Sequence, residues 1–125
     1  MKYLYLDCLL QSDSNSRYLR CVVDTGFDGD LLINAKVAQS LKLIPIPGKA
    51  SNTILGDGKA ILTRLANVIF ELPEIAASYN VVTVILPQEI DCILGTAFLE
   101  KICRSNKSNL VVNYMTNSLD FVSMI

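Results

Sequence analysis

The residues of this chain that could carry chemistry are carboxylates, and the most informative group is Asp24-Thr25-Gly26. An apolar run, Leu19–Val23, leads directly into Asp24 and predicts a buried strand that ends on an acid. Burying a carboxylate costs free energy unless a partner or a reaction uses its charge. Asp and Gly also form ordinary turns, so three residues alone are equally typical of a strand-to-turn junction.

Other common catalytic groups are missing from the sequence. The chain contains no histidine, so Ser-His-Asp and Cys-His hydrolysis, which both need an imidazole base, are excluded within it. Gly56-Asp57-Gly58 lacks the lysine and the helix that follow a phosphate-binding loop. The four cysteines show no C-x-x-C spacing, so we expect reduced thiols, no metal site and no cofactor: Cys8, Cys21, Cys92 and Cys103.

Composition limits the class of protein. The 125 residues are 51% hydrophobic, which predicts one globular domain over residues 1–125, with part of the apolar excess buried between subunits. Eleven basic residues are offset by 12 acidic ones without a basic stripe, which argues against a nucleic-acid partner. The N-terminal run meets Asp7 too early for a signal-peptide core, and no apolar run could span a membrane. We therefore expect a cytoplasmic protein with no membrane partner.

The elements that must position Asp24 are mostly short strands. Apolar runs at 3–10 and 18–23 flank a polar turn at 11–16 and predict a hairpin that ends on Asp24. A strand at 31–33 leads to Asn34, which can cap a helix from Ala35 to about Leu41. Further predicted strands are 53–55, 59–62, 65–72, 79–86, 109–114 and 118–125, and Phe98, Leu99 and Ile102 share one face of a second helix. This pattern indicates a mainly-β domain with one or two short helices.

Three landmarks stand in a characteristic order along the chain. They are Asp24-Thr25-Gly26 with its extension to Leu31, the glycine hairpin Gly56-Asp57-Gly58, and Ile93-Leu94-Gly95 leading into a helix. Their combination resembles the retropepsin-like aspartic proteases, particularly small bacterial members. The resemblance implies a closed β-barrel of the acid protease fold, in which a single lobe forms a two-fold homodimer.

The resemblance also implies roles for individual residues. Asp24, Thr25 and Gly26 are the expected catalytic residues, with the Thr25 hydroxyl bonding across the dimer axis. The expected substrate-binding residues are Phe27, Asp28, Leu55, Gly56, Asp57 and Gly58. The last three would form the flap, a mobile hairpin tip that closes over the substrate. Ile93, Leu94 and Gly95 would support the active-site loop.

Hydrolysis by carboxylates requires two of them. One takes a proton from water while the other polarises the carbonyl, and two adjacent carboxyls achieve this because both cannot easily ionise. The chain carries one D-T-G, so the second Asp24 must come from another copy. The sequence therefore predicts an aspartic endopeptidase that acts on a polypeptide substrate as a homodimer.

Two departures from the retroviral pattern keep other interpretations open. Phe27 stands where retroviral proteases carry alanine or serine, so it could narrow the cleft or point into the core. Thr96-Ala97 replaces an arginine-containing pair that supports ion pairing of the loop. A non-catalytic peptide-binding or regulatory module on the same dimeric fold is the alternative. A purely structural barrel subunit is a third possibility, and it predicts that Arg20 or Arg64 pairs with Asp24.

Overall fold

The computed structural model describes residues 3–54, 58, 60–87 and 90–123, with backbone only at 51–54 and 61. Within these residues the chain forms two α-helices, α1 (Ala35–Ser40) and α2 (Thr96–Asn106), and a short 3-10 turn, Pro73–Ile75. The strands are β1 (Tyr5–Ser12), β2 (Asn15–Asp24), β3 (Leu31–Asn34), β4 (Ala50–Ile54), β5 (Ala60–Leu72), β6 (Ala77–Leu86), β7 (Ile93–Gly95), β8 (Ser108–Asn113) and β9 (Ser118–Ser123). No helix among the described residues is long and apolar enough to cross a membrane.

The strands follow the order β4-β5-β6-β3-β7-β2-β1-β9-β8, with an additional antiparallel pairing between β5 and β1. That pairing, which includes Leu10 opposite Phe70, closes six strands into a barrel: β5, β6, β3, β7, β2 and β1. Strand β7 lies between β2, to which it is parallel, and β3, to which it is antiparallel. The expected mainly-β closed barrel with two short helices is confirmed.

The main core lies on one face of these strands and under both helices. Alternate residues of β1, Leu6, Cys8 and Leu10, are buried in it, as the period of two in a strand requires. The ring of Phe98 from α2 meets Phe70 edge-on at 4.9 Å between centroids, a favoured geometry for aromatic pairs. All four cysteines are free, with Cys103 half-buried and the other three buried.

Helix α1 begins where the sequence predicts. The Asn34 Oδ1 atom accepts a hydrogen bond from the Val37 N–H at 2.9 Å, which satisfies one of the unpaired donors of the first turn. The same side chain donates from Nδ2 to the Ile90 carbonyl at 2.9 Å. Asn34 therefore both starts α1 and holds the segment that precedes β7.

Two predicted boundaries are wrong. The polar run at 11–16 was expected to be a turn, but β1 and β2 continue through most of it and only Asp13 and Ser14 form the turn, with Asp13 at φ 49°. Asp tolerates this left-handed conformation, which makes so tight a hairpin possible. Residues 59–62 and 65–72 belong to one strand, β5, because Arg64 pairs with β4 on one side and with β6 on the other.

Candidate active site

The strands that carry the site have apolar side chains on both faces. Leu31 and Ile33 of β3 point into the main core, whereas Leu32 between them belongs to a separate apolar cluster. We call this the second cluster. Its buried members are Leu32, Val84 and Leu86, with half-buried Phe27, Leu65, Ile90 and Ile93 packed against them. Strand alternation therefore places the second cluster on the face opposite the main core.

Asp24 lies on that opposite face. It is the last residue of β2 and pairs with Gly95 of β7, while Val22, two residues earlier, pairs with Ile93. Because residues two apart in a strand share a face, Asp24 is on the same face as Ile93. Its side chain is exposed. The structure thus presents a carboxylate to solvent beside a partly exposed apolar surface.

The loop after β2 holds this carboxylate in place. The Gly26 N–H donates to the Asp24 Oδ1 atom at 2.8 Å, and the Phe27 N–H donates to the Asp24 carbonyl at 3.3 Å. Hydrogen bonds from N–H groups to a carboxylate favour its charged form and orient it. A Cβ atom at Gly26 would lie 3.3 Å from Asp24 Oδ1. Thr25, at the apex of the loop, is exposed.

Strand β7 supports the same loop from behind. A Cβ atom at Gly95 would lie 2.0 Å from the Gly29 carbonyl oxygen, so only glycine lets the two backbones come this close. The Gly95 N–H donates to the Asp30 carbonyl at 3.1 Å. Leu94 is fully buried in the main core and Ile93 belongs to the second cluster. The structure therefore places Ile93, Leu94 and Gly95 beside the loop that carries Asp24.

An ion pair that the sequence did not reveal also ties this loop down. Lys101 of α2 places its Nζ atom 3.6 Å from the Asp30 Oδ2 atom. It links the loop to the helix that follows Gly95, where Thr96 replaces the expected arginine. Both side chains are partly exposed, 67% for Lys101 and 32% for Asp30, so the pair is weak and sensitive to salt.

The expected substrate-binding residues fall into three groups. Phe27 is half-buried against the second cluster, and Asp28 is exposed at the rim of the loop. Strands β4 and β5 form an antiparallel hairpin in which Ile54 pairs with Ala60. Of the expected flap, Leu55, Gly56 and Asp57 lie outside the described residues, and Gly58 is exposed at φ +84°.

The basic residues proposed as partners of Asp24 lie elsewhere. Arg20 donates to both carboxylate oxygens of Asp7, at 2.9 and 3.2 Å, and its guanidinium lies 5.6 Å from the centre of the Tyr5 ring. Among the ion pairs of the described residues, none joins Arg20 or Arg64 to Asp24. The specific expectation of the structural-barrel interpretation is therefore wrong.

Two further features bear on what the surface could bind. A cavity of about 460 Å³ lies between β1, β2 and the β8–β9 hairpin, lined by residues that include Arg20, Ile75 and Phe121, and Asp24 is not part of its lining. In the described part of the chain, no group of three or more acidic or cysteine side chains is arranged to hold a metal ion.

Comparisons with known proteins place the chain by its shape. No family profile and no curated protein sequence matches it. Among solved structures it is similar to the EIAV protease in complex with the inhibitor HBY-793, with a TM-score of 0.58 and 19% identity over 89% of this chain and 94% of that one. It is also similar to a retropepsin-like aspartic protease from Rickettsia conorii, with a TM-score of 0.56 and 16% identity over 90% of each chain. This likeness covers both chains almost end to end, and on that ground the chain has the retropepsin-like fold.

Proposed function

We propose that this protein is an aspartic endopeptidase that acts as a homodimer, with one Asp24 from each copy in the active site. The observation that carries the proposal is the exposed Asp24 carboxylate, which the Gly26 N–H holds beside the apolar second cluster. Two structures that share the fold are named as proteases. The whole of residues 1–125 serves as one catalytic domain in this proposal.

The chemistry follows from bringing two such carboxylates together. Two adjacent carboxyls share one proton, because full ionisation of both is opposed by repulsion. The ionised one takes a proton from a water molecule, and the protonated one polarises the carbonyl of the peptide bond. Each chain supplies a single Asp24, so the partner copy completes the site. Hydrolysis therefore fails in the monomer, and it declines at alkaline pH because the shared proton is lost.

The terminal hairpin offers a surface for the second copy. Strand β8 is last in the sheet order and has no second strand beside it in the described chain. An unpaired edge readily adds another strand. Val111 of β8 and Val122 of β9 are 45% and 49% exposed, and Met115 between the two strands is 93% exposed. A partner that covers this edge would bury these apolar groups. Met124 and Ile125, also expected in the interface, lie outside the described residues.

The test is Asp24→Asn, with Asp13→Asn as the matched control in the exposed β1–β2 turn. Peptide hydrolysis should fall at least about 100-fold in Asp24→Asn, the size of a lost acid–base contribution. It should be unchanged in the control. A peptide isostere with a hydroxyl at the scissile position should inhibit the wild type. Binding of that isostere without any hydrolysis would instead favour the peptide-binding module. Cleavage that survives Asp24→Asn would refute the proposal.

A further inference from the structure

The side chain of Phe27 is folded back over its own loop. A Cβ atom at Gly29 would lie 2.5 Å from Phe27 Cζ and within 3.2 Å of both Cε atoms, so the ring tip rests against the Gly29 backbone. A residue larger than glycine at position 29 would push this ring away. Phe27 and Gly29 therefore act together to set where the ring lies.

The backbone of Phe27 is also fixed. Its N–H donates to the Asp24 carbonyl at 3.3 Å, and its carbonyl oxygen would lie 3.0 Å from a Cβ atom at Gly95. The ring is anchored at its base by the active-site loop and packed at its side on the second cluster. It is a fixed part of the surface beside Asp24.

The second cluster is the apolar surface on which a substrate side chain next to Asp24 would pack. Its buried members, Leu32, Val84 and Leu86, are overlaid by the half-buried residues Phe27, Ile90, Ile93 and Leu65. Phe27 is the bulkiest of these, and it is only three residues from Asp24. The space that a large apolar substrate side chain would need over the cluster is therefore already occupied by a ring of the protein itself.

We propose, on the basis of the proposed function, that Phe27 restricts the substrate to small side chains next to the scissile bond. Two-fold symmetry places one Phe27 ring on each side of the bond. The substrate class is a polypeptide with Gly, Ala or Ser on both sides of the cleavage point. A larger side chain must displace an anchored ring, and overpacking of this kind is strongly unfavourable.

The test compares two peptides that differ only in carrying Ala or Leu on both sides of the scissile bond. The wild type should prefer the Ala peptide by at least about tenfold in kcat/KM, since a few methylene groups in an apolar pocket discriminate by this much or more. Phe27→Ala should lose this preference and gain at least about tenfold on the Leu peptide. Phe121→Ala is the matched control, because Phe121 is half-buried against the main core and should retain the wild-type preference.

Calorimetric titration of the same peptides into Asp24→Asn and into Asp24→Asn/Phe27→Ala separates recognition from chemistry. A preference for Ala in the first and its loss in the second supports the subsite even where no variant hydrolyses peptide, which would refute only the proposed function. Hydrolysis with equal preference in wild type and Phe27→Ala would overturn the subsite and leave the function intact. Absence of both binding and hydrolysis would overturn both. Phe27→Leu, checked by thermal unfolding, should give an intermediate preference where Phe27→Ala fails to fold.

Discussion

A hydrogen atom is the largest side chain that position 95 accepts. Gly95→Ala would bring a methyl group to 2.0 Å from the backbone oxygen of Gly29, and a backbone cannot move aside as a flexible side chain can. We expect a loss of about 1–3 kcal/mol or more in the free energy of unfolding, measured by urea denaturation. Gly26→Ala is the control, because its Cβ would meet only the Asp24 carboxylate at 3.3 Å and should cost much less. Equal stability of the two variants would contradict the close approach of the two loops.

How far single residues could be predicted depends on whether their partners are local. Asn34 was predicted as a helix cap because the cap bonds a residue three positions away. Its second bond, to the Ile90 carbonyl, depends on how β3 and the segment before β7 come together. The pair of Asp30 with Lys101 is of the same kind. For Phe27 the sequence left two directions open, since only the assembled strands determine which face the ring meets.

Among the elements, the β1–β2 hairpin contains the ion pair with the clearest dependence on pH. The Arg20 guanidinium hydrogen-bonds the Asp7 carboxylate and holds the pKa of Asp7 below its ordinary value, with partial burial acting in the opposite direction. A lowered pKa in the folded state means stability that is present above the unfolded-state pKa. It is lost as the pH falls through the folded-state value.

Asp7→Asn should therefore destabilise the protein slightly at neutral pH, while the difference from wild type should vanish in strong acid. The effect is small because both side chains are more than half exposed. Urea unfolding at neutral and at strongly acid pH measures it. The Glu100→Gln variant, which breaks the exposed pair with Arg104 in α2, serves as a comparison. A difference between Asp7→Asn and wild type that grows on acidification would contradict the assigned direction.

Element boundaries were predictable where a strand or helix keeps one partner along its length. Helix α1 and the terminal hairpin meet this condition, and their positions were predicted closely. Strand β5 does not, because it changes partner from β4 to β6 around Arg64. In the sequence, Thr63-Arg64 looks like a break between two strands. A local pattern cannot show that one strand continues through a change of neighbour.

At the scale of the whole molecule, the proposed homodimer depends on the apolar terminal hairpin. Val122→Lys places a charge on an exposed position of β9, which should weaken the dimer and lower hydrolysis at low protein concentration without unfolding the chain. Ile44→Lys is the control, since Ile44 is 81% exposed and lies outside the terminal hairpin. Sedimentation equilibrium at micromolar concentration measures the association. A wild-type monomer at every accessible concentration, still hydrolysing peptide, would contradict the shared active site.

The place of β7 in the sheet has a consequence for when the molecule can act. Its three residues lie between β2 and β3, which are joined in sequence but do not neighbour each other in the sheet. During synthesis, Asp24 emerges from the ribosome long before Gly95, and the loop between β2 and β3 has no backing until then. A nascent chain therefore cannot assemble the site by itself, and under the proposed function the protein stays inactive while it is being translated.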